Sequence, residues 1–311
     1  MTMLMNIFIL SPNYNRLASK QIQAKLRDVG NVMVFSKPDS IQSLSPLWKG
    51  VEPCVIALDP DFCYWKAPNE LFTIPHVKAI CLQTTSFSWI DTKRAAMKSI
   101  PVINLRHWST EAVAEWAMML VFNLARRVPI IAQNNWKEEC VTQQGIELVG
   151  KTIGIIGLGH IGTRIAEIAK GIGMNVQYWS RKSRDQRFVY VSLPKLIKTS
   201  DVIVPAMSQN IHTQGILSDK VLSMIQPSAM FIGIVHNIYN HDLLVNMVKH
   251  HKIFGYAFEE NGGGMFNKYK GNILAGPANA WVTKEAEERN IEQWAQTIID
   301  AAHGKFPQQV N

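Results

Sequence analysis

The sequence predicts two α/β domains, the second a doubly wound (Rossmann) parallel sheet that binds a dinucleotide. Three observations carry that expectation. The 311 residues are about twice the ~150-residue prior for one domain. Short apolar, β-rich runs bounded by Pro, Gly, Asn or Asp alternate with helically spaced segments, which argues for parallel strands covered by helices on both faces. A glycine-rich turn, Gly157-Leu158-Gly159-His160-Ile161-Gly162, joins one such strand to the helix after it.

Taken in order, strands are expected at Asn6–Leu10, 32–36, Cys54–Leu58, 78–82 and 102–105, with helices at 17–29 and 91–97 between them. The apolar first segment lacks a basic leader and runs directly into Ser11, Pro12 and Asn13, so it reads as a strand and not a signal peptide. A long helix follows, with Ser109 or Thr110 as its N-cap and Glu111 in its first turn. Val113, Trp116, Met119, Leu120, Phe122 and Leu124 lie all round this helix and imply burial on more than one side, in a core or a subunit interface. A second block of strands is expected at Thr152–Ile156, Asn175–Trp179, 201–204, 230–235, 253–258 and 273–275. A last helix over 283–302 returns the chain toward the first domain.

Composition sets outer limits. A chain that is 47% hydrophobic and 18% charged buries real cores and is too apolar for disorder. No apolar run reaches the ~18 residues of a membrane span, since the longest, 112–125, contains Glu115 and Asn123. The excess of 32 Lys and Arg over 24 Asp and Glu gives +8 and favours anionic partners, although a solvated basic surface accounts for it equally well. No nucleic-acid-reading module is recognisable, so no nucleic-acid partner is expected. Cys54, Cys63, Cys81 and Cys140 form no CxxC and no zinc-like spacing with histidine, which points to reduced cytoplasmic thiols and no metal.

The glycine turn is the most informative segment. Gly157 allows the tight turn, Gly159 lets a pyrophosphate approach the backbone, and Gly162 allows close helix–strand packing, with His160 and Ile161 between them. The pyrophosphate would sit where unpaired helix N–H groups and the positive dipole end coincide. NAD specificity usually places a carboxylate about 20 residues on, at the end of the second strand. Here that strand ends in Ser180-Arg181-Lys182, which repels no 2′-phosphate and can bind one, so NADP is expected, with NAD possible. Arg187, Lys195 and Lys198 continue the basic run, and a solvated basic helix is the competing reading.

Nearly the whole chain resembles the D-2-hydroxyacid dehydrogenase family. The resemblance rests on Ile100-Pro101-Val102-Ile103-Asn104 with the long helix, on the 147–152 lead-in to the glycine turn, on 201–217 and on the 304–311 tail. It implies a flavodoxin-like substrate domain built from 1–103 and 284–311, a Rossmann domain over 104–283, a cleft between them, and a homodimer. It also implies cofactor contacts at Thr110, Met207, Ser208, Thr213, Val235 and Glu259. The expected reaction is hydride transfer between NADP(H) and a small, anionic carbonyl or 2-hydroxy-acid-like substrate.

Family chemistry uses an arginine to hold the substrate carboxylate, a histidine to deliver a proton, and a glutamate to orient that histidine. The matching positions carry His236, Ala278 and Gly264. The loop that offers backbone N–H groups to substrate in the family reads Thr84-Thr85-Ser86-Phe87-Ser88-Trp89. Ordinary 2-oxo acid reduction therefore loses its usual machinery. His236 is the remaining candidate, since an imidazole with an unperturbed pKa of ~6.5 can donate a hydrogen bond or a proton. Arg106 and His107 are weaker candidates against structural roles. The alternative is a non-catalytic NADP(H)-binding protein serving as sensor, scaffold or partner subunit.

Overall fold

The computed structural model describes residues 5–37, 41–208, 213–235, 237–260 and 268–311. The chain forms two compact units: Met1–Ser109 with Thr283–Asn311, and Thr110–Val282. Residues 104–109, assigned by sequence to the cofactor domain, pack with the first unit.

The first unit is a five-stranded parallel sheet of β1 (Asn6–Leu10), β2 (Asn31–Phe35), β3 (Cys54–Leu58), β4 (Val77–Leu82) and β5 (Val102–Ile103). Their order, β2-β1-β3-β4-β5, is the flavodoxin-like order. β3 is buried at every residue, as a strand covered on both faces must be. The helix expected over 17–29 is instead two, Tyr14–Leu17 and Lys20–Val29. Ser19 causes the break: its extended backbone starts the second helix, and its Oγ accepts from the Ile22 N–H at 3.3 Å.

The helix Lys284–Ala302, capped by Thr283, lies on this sheet. Its wholly buried Trp294 donates from Nε1 to the Cys81 carbonyl at 2.9 Å, and Asn290 donates from Nδ2 to the Gln83 carbonyl at 3.1 Å. The tail closes the outer edge of β5. The Val310 N–H donates to the Val102 carbonyl, while the Asn311 amide accepts from the Val102 N–H and donates to the Ile100 carbonyl, both at 2.8 Å.

The second unit is a seven-stranded parallel sheet: β6 (Thr152–Ile156), β7 (Asn175–Trp179), β8 (Val189–Tyr190), β9 (Val202–Pro205), β10 (Met230–Gly233), β11 (Gly255–Glu259) and β12 (Ile273–Gly276). The order β12-β11-β10-β9-β6-β7-β8 is that of a doubly wound dinucleotide sheet, with its switch point between β6 and β9. β8 was not anticipated, because its two residues are both exposed and present no apolar pattern.

The long helix spans Thr110–Ala125. Ala114, Ala117, Val121 and Leu124 pack in one core with Ile153, Ile155, Met230 and Ile232. Ala112, Ala114, Ala117, Met118, Leu120, Val121, Leu124 and Ala125 are buried, more than one side of the helix as its composition implied, and one stripe stays open in this unit. Glu111, Glu115, Met119 and Phe122 form an outer stripe, with Met119 39% and Phe122 45% exposed. Among the described residues no helix is long and apolar enough to cross a membrane. All four cysteines are free thiols, with Cys54 and Cys81 buried.

Candidate functional site

The glycine turn links β6 to the helix His160–Gly171. Gly157 holds φ at +102°, a conformation that favours glycine, and its N–H donates to the Trp179 carbonyl at 2.8 Å. A Cβ at Gly157 would sit 3.0 Å from the Ala206 carbonyl oxygen and from Met207 Cβ. At Gly162 an added Cβ would lie 2.1 Å from the Gly157 carbonyl oxygen, so the helix could not approach the turn this closely. Gly159 differs. It is the N-cap, it brings no side-chain acceptor, and a Cβ there would meet nothing within 4 Å. The helix therefore starts without a side-chain cap, beside open space at Gly159, and helix starts of this kind are where anions bind. His160 is exposed and Ile161 half-buried at this opening.

β7 leads into a compact basic turn. Ser180 is buried, and its Oγ accepts from the Ser183 N–H at 3.2 Å. Arg184 donates to the carbonyls of Ser180 and Ser183 at 2.9 and 2.8 Å and lies 4.0 Å above the Tyr190 ring. Arg187 is held by Asp185 and Glu167, each at 2.7 Å. From Glu167 the ion pairs continue to Arg164 at 3.2 Å and on to Glu111 at 2.6 Å. Arg187, a further member of the basic run in the sequence, is therefore engaged by carboxylates of its own unit. Arg181 and Lys182 are exposed and form no hydrogen bond or ion pair among the described residues.

The remaining predicted cofactor contacts lie on other strand ends and helix starts of this unit. Thr110 is the first residue of its helix. Met207 follows β9 and packs on Gly157, and Thr213 donates from Oγ1 to the Ser208 carbonyl at 2.8 Å. Val235 follows β10, half-buried. Glu259 ends β11, and its Oε1 accepts from the Ala280 N–H at 3.2 Å. Ala278 is half-buried in the turn after β12, where the Asn279 N–H donates to the Pro277 carbonyl. His236 and Gly264 lie outside the described residues.

In the first unit, the loop after β4 is filled by side chains. Thr84 is buried, the Trp108 indole donates to Thr85 Oγ1 at 3.1 Å, and the Trp89 indole donates to the Ser86 carbonyl at 2.8 Å. Phe87 is 40% exposed. Arg106 and His107 are both exposed, and His107 holds a left-handed backbone with φ +66°.

Sequence reading passed over one group. Tyr239, His241, Tyr256 and Phe258 gather beside Glu259 and Glu260 around a pocket of about 240 Å³. Residues 256 and 258 alternate onto one face of β11, and that period-two pattern was the available signal. Tyr239 reaches over Gly233, where an added Cβ would lie 2.0 Å from its hydroxyl. Burial pushes the Tyr239 phenol up to about 12, so it stays protonated.

Comparison with known proteins bears on this arrangement. The family model "D-isomer specific 2-hydroxyacid dehydrogenase, NAD binding domain" matches residues 118–260. A glyoxylate reductase of Thermococcus litoralis is 30% identical over 265 residues, covering 78% of this chain and 79% of its own length. A glyoxylate reductase of Pyrococcus furiosus is 28% identical over 261 residues, covering 77% of each. Among solved structures, an acyclic imino acid reductase in complex with NADPH and D-Arg superposes with TM-score 0.83 at 24% identity, over 98% of this chain and 100% of the other. A glyoxylate reductase from Paecilomyes thermophila gives TM-score 0.83 at 20% identity, over 100% and 99%. At those identities the two structures establish a shared fold.

Proposed function

We propose a reaction for a chain that belongs to the D-isomer specific 2-hydroxyacid dehydrogenase family. It transfers hydride between NADP(H) and a small, anionic carbonyl or 2-hydroxy-acid-like substrate, without the family's arginine–glutamate–histidine set. The observation that carries this reading is the pairing of an open, uncapped helix start at Gly159 with two unengaged cations, Arg181 and Lys182.

The residues present fit the cofactor. First-turn N–H groups after Gly159 bind the diphosphate, and Gly157 and Gly162 keep the backbone close enough for them to reach it. Arg181 and Lys182 hold the 2′-phosphate, with the Ser180 hydroxyl beside them as a donor. Thr110, His160, Ile161, Met207, Ser208, Thr213, Val235 and Glu259 complete the contacts. When bound, the reduced nicotinamide supplies the hydride.

Ala278 delivers no proton, and a positioned acid is typically worth ~10²- to 10⁴-fold. His236 is the proton donor within this reading. A substrate that already carries its proton, such as an iminium, needs no donor at all. One structural neighbour is by name an imino acid reductase. The second reading, an NADP(H)-binding protein without catalysis, is favoured by the replacement of all three family side chains, with His236, Gly264 and Ala278 at those positions. The exposed Met119 and Phe122 stripe supports a homodimer, and four free thiols support a reducing, cytoplasmic setting.

The test is NADPH oxidation across glyoxylate, larger 2-oxo acids, aldehydes, and 2-oxo acids premixed with methylamine, with calorimetric NADPH and NADH titrations alongside. Turnover on any class above background, with NADPH binding tighter than NADH, supports the proposal. Tight NADPH binding with no turnover would leave the non-catalytic reading standing. No binding of either nucleotide at millimolar levels would overturn both.

A further inference from the structure

We propose that the pocket walled by Tyr239, Tyr256, Phe258, Glu259 and Glu260 binds a small organic cation, a primary ammonium or a guanidinium group. It lies where β11 ends beside the start of the helix His241–Lys249. The proposal stands on this lining and does not depend on the hydride-transfer reading.

The walls are aromatic. Tyr256 stacks on Phe258 with ring centroids 4.8 Å apart, and Phe258 takes edge contacts from His241 at 4.4 Å and Tyr269 at 5.4 Å. Ring faces carry negative potential and attract cations. Two carboxylates line the same space, and among the described lining residues there is no lysine or arginine, although Lys268 pairs with Glu260 from outside it. His241, joined to the Tyr256 hydroxyl at 3.1 Å, adds no repulsion at neutral pH, because burial holds its pKa below the usual imidazole range.

Glu260 is the anchor. Its Oε1 is taken by the Lys268 ammonium and the Tyr269 hydroxyl, and Lys268 also lies 5.4 Å from the Tyr269 ring. One ammonium is thus already held by this carboxylate and an aromatic face. Glu260 Oε2 is buried and accepts no hydrogen bond among the described residues. A buried carboxylate oxygen without a donor is costly, and a cationic N–H satisfies it. An anion would be repelled by both carboxylates, and an apolar occupant would leave Oε2 unpaired. A volume of about 240 Å³ suits the end of a small molecule and not a macromolecular partner.

The experiment is a calorimetric titration of the full chain without nucleotide, using n-propylammonium chloride and methylguanidinium chloride. 1-Propanol and sodium propionate serve as neutral and anionic counterparts at matched ionic strength. Saturable binding of the two cations and of neither counterpart is expected. Glu260→Gln should weaken that binding about tenfold or more, whereas Lys268→Met should strengthen it severalfold by removing the resident ammonium. A purely structural role would weaken binding in both variants, and melting curves by circular dichroism verify that each is folded. Equal binding of 1-propanol, no saturable cation binding, or loss in both variants would overturn the proposal.

Discussion

The two halves of the seven-stranded sheet end in different chemistry. On the β6–β7 side the features that suit a nucleotide are mostly backbone: a left-handed glycine, a helix start with no side-chain cap, and a contact at Gly162 too close for any Cβ. Two side chains, Arg181 and Lys182, add charge. On the β10–β12 side everything distinctive is a side chain: Tyr239 over Gly233, the Tyr256–Phe258 stack, the Glu259–Glu260 pair and Ala278. Both halves are nonetheless continuous parallel sheet with unbroken register. The difference teaches that features written in backbone geometry and features written in side chains can stand side by side on one unbroken sheet.

The contrast is broken most severely at Gly162. Gly162→Val forces the turn and helix apart, and NADPH binding should become unmeasurable by calorimetry while β10–β12 stays folded. Retained affinity would show that the backbone is not the grip. Next in size is a gain: Ala278→His with His236→Arg should raise glyoxylate reduction by ~10²- to 10⁴-fold in steady-state assays. No gain would mean that the β10–β12 side differs by more than these positions. Arg181→Ala with Lys182→Ala should weaken NADPH by roughly 10- to 100-fold and leave NADH nearly unchanged, since charge-assisted hydrogen bonds to phosphate are lost. Equal loss for both nucleotides would remove the 2′-phosphate assignment.

The small effects sharpen the comparison. Arg164→Gln interrupts the ion-pair chain from Glu111 to Asp185, and about 0.5 kcal/mol or less of stability should disappear in denaturant titrations, less at high salt. On the other side, desolvation lowers the His241 pKa, so the unfolded chain binds that proton more readily. Stability should then be full above pH 6.5 and fall as pH drops through the window between the unfolded and the lower folded value. His241→Gln should flatten that part of a stability-against-pH curve. An unchanged curve would mean that the imidazole is solvated.

Sequence reading captured most of the strands for a physical reason. In a parallel sheet covered on both faces a strand is a continuous apolar run, as in β3, and is bounded by turn residues. It missed β8, whose Val189 and Tyr190 are exposed, and it ran through Ser19, whose capping bond needs a backbone conformation that composition does not specify. Glycine positions at 157 and 162 were legible because each answers a local steric demand, whereas a Cβ at Gly159 would meet nothing and its place was legible only from the spacing of the motif. Which basic residues remain unengaged was not legible. Arg181, Arg184 and Arg187 look alike in a row, and only their distances to Ser180 O, Asp185 and Glu167 separate them. The aromatic pocket stayed hidden because Tyr256 and Phe258 are also what an ordinary core strand contains.

The Asn311 side chain, bridging Val102 and Ile100 on the free side of β5, also bears on how copies of this chain meet. A bare edge of parallel sheet invites strands from other molecules, and its unfilled hydrogen-bonding groups are a common seed of ordered aggregates. With Val310 and Asn311 seated there, that flank offers a neighbouring chain few backbone partners. Clipping 309–311 would uncover it, and light scattering under mild heating should register self-association well before the rest of the molecule unfolds.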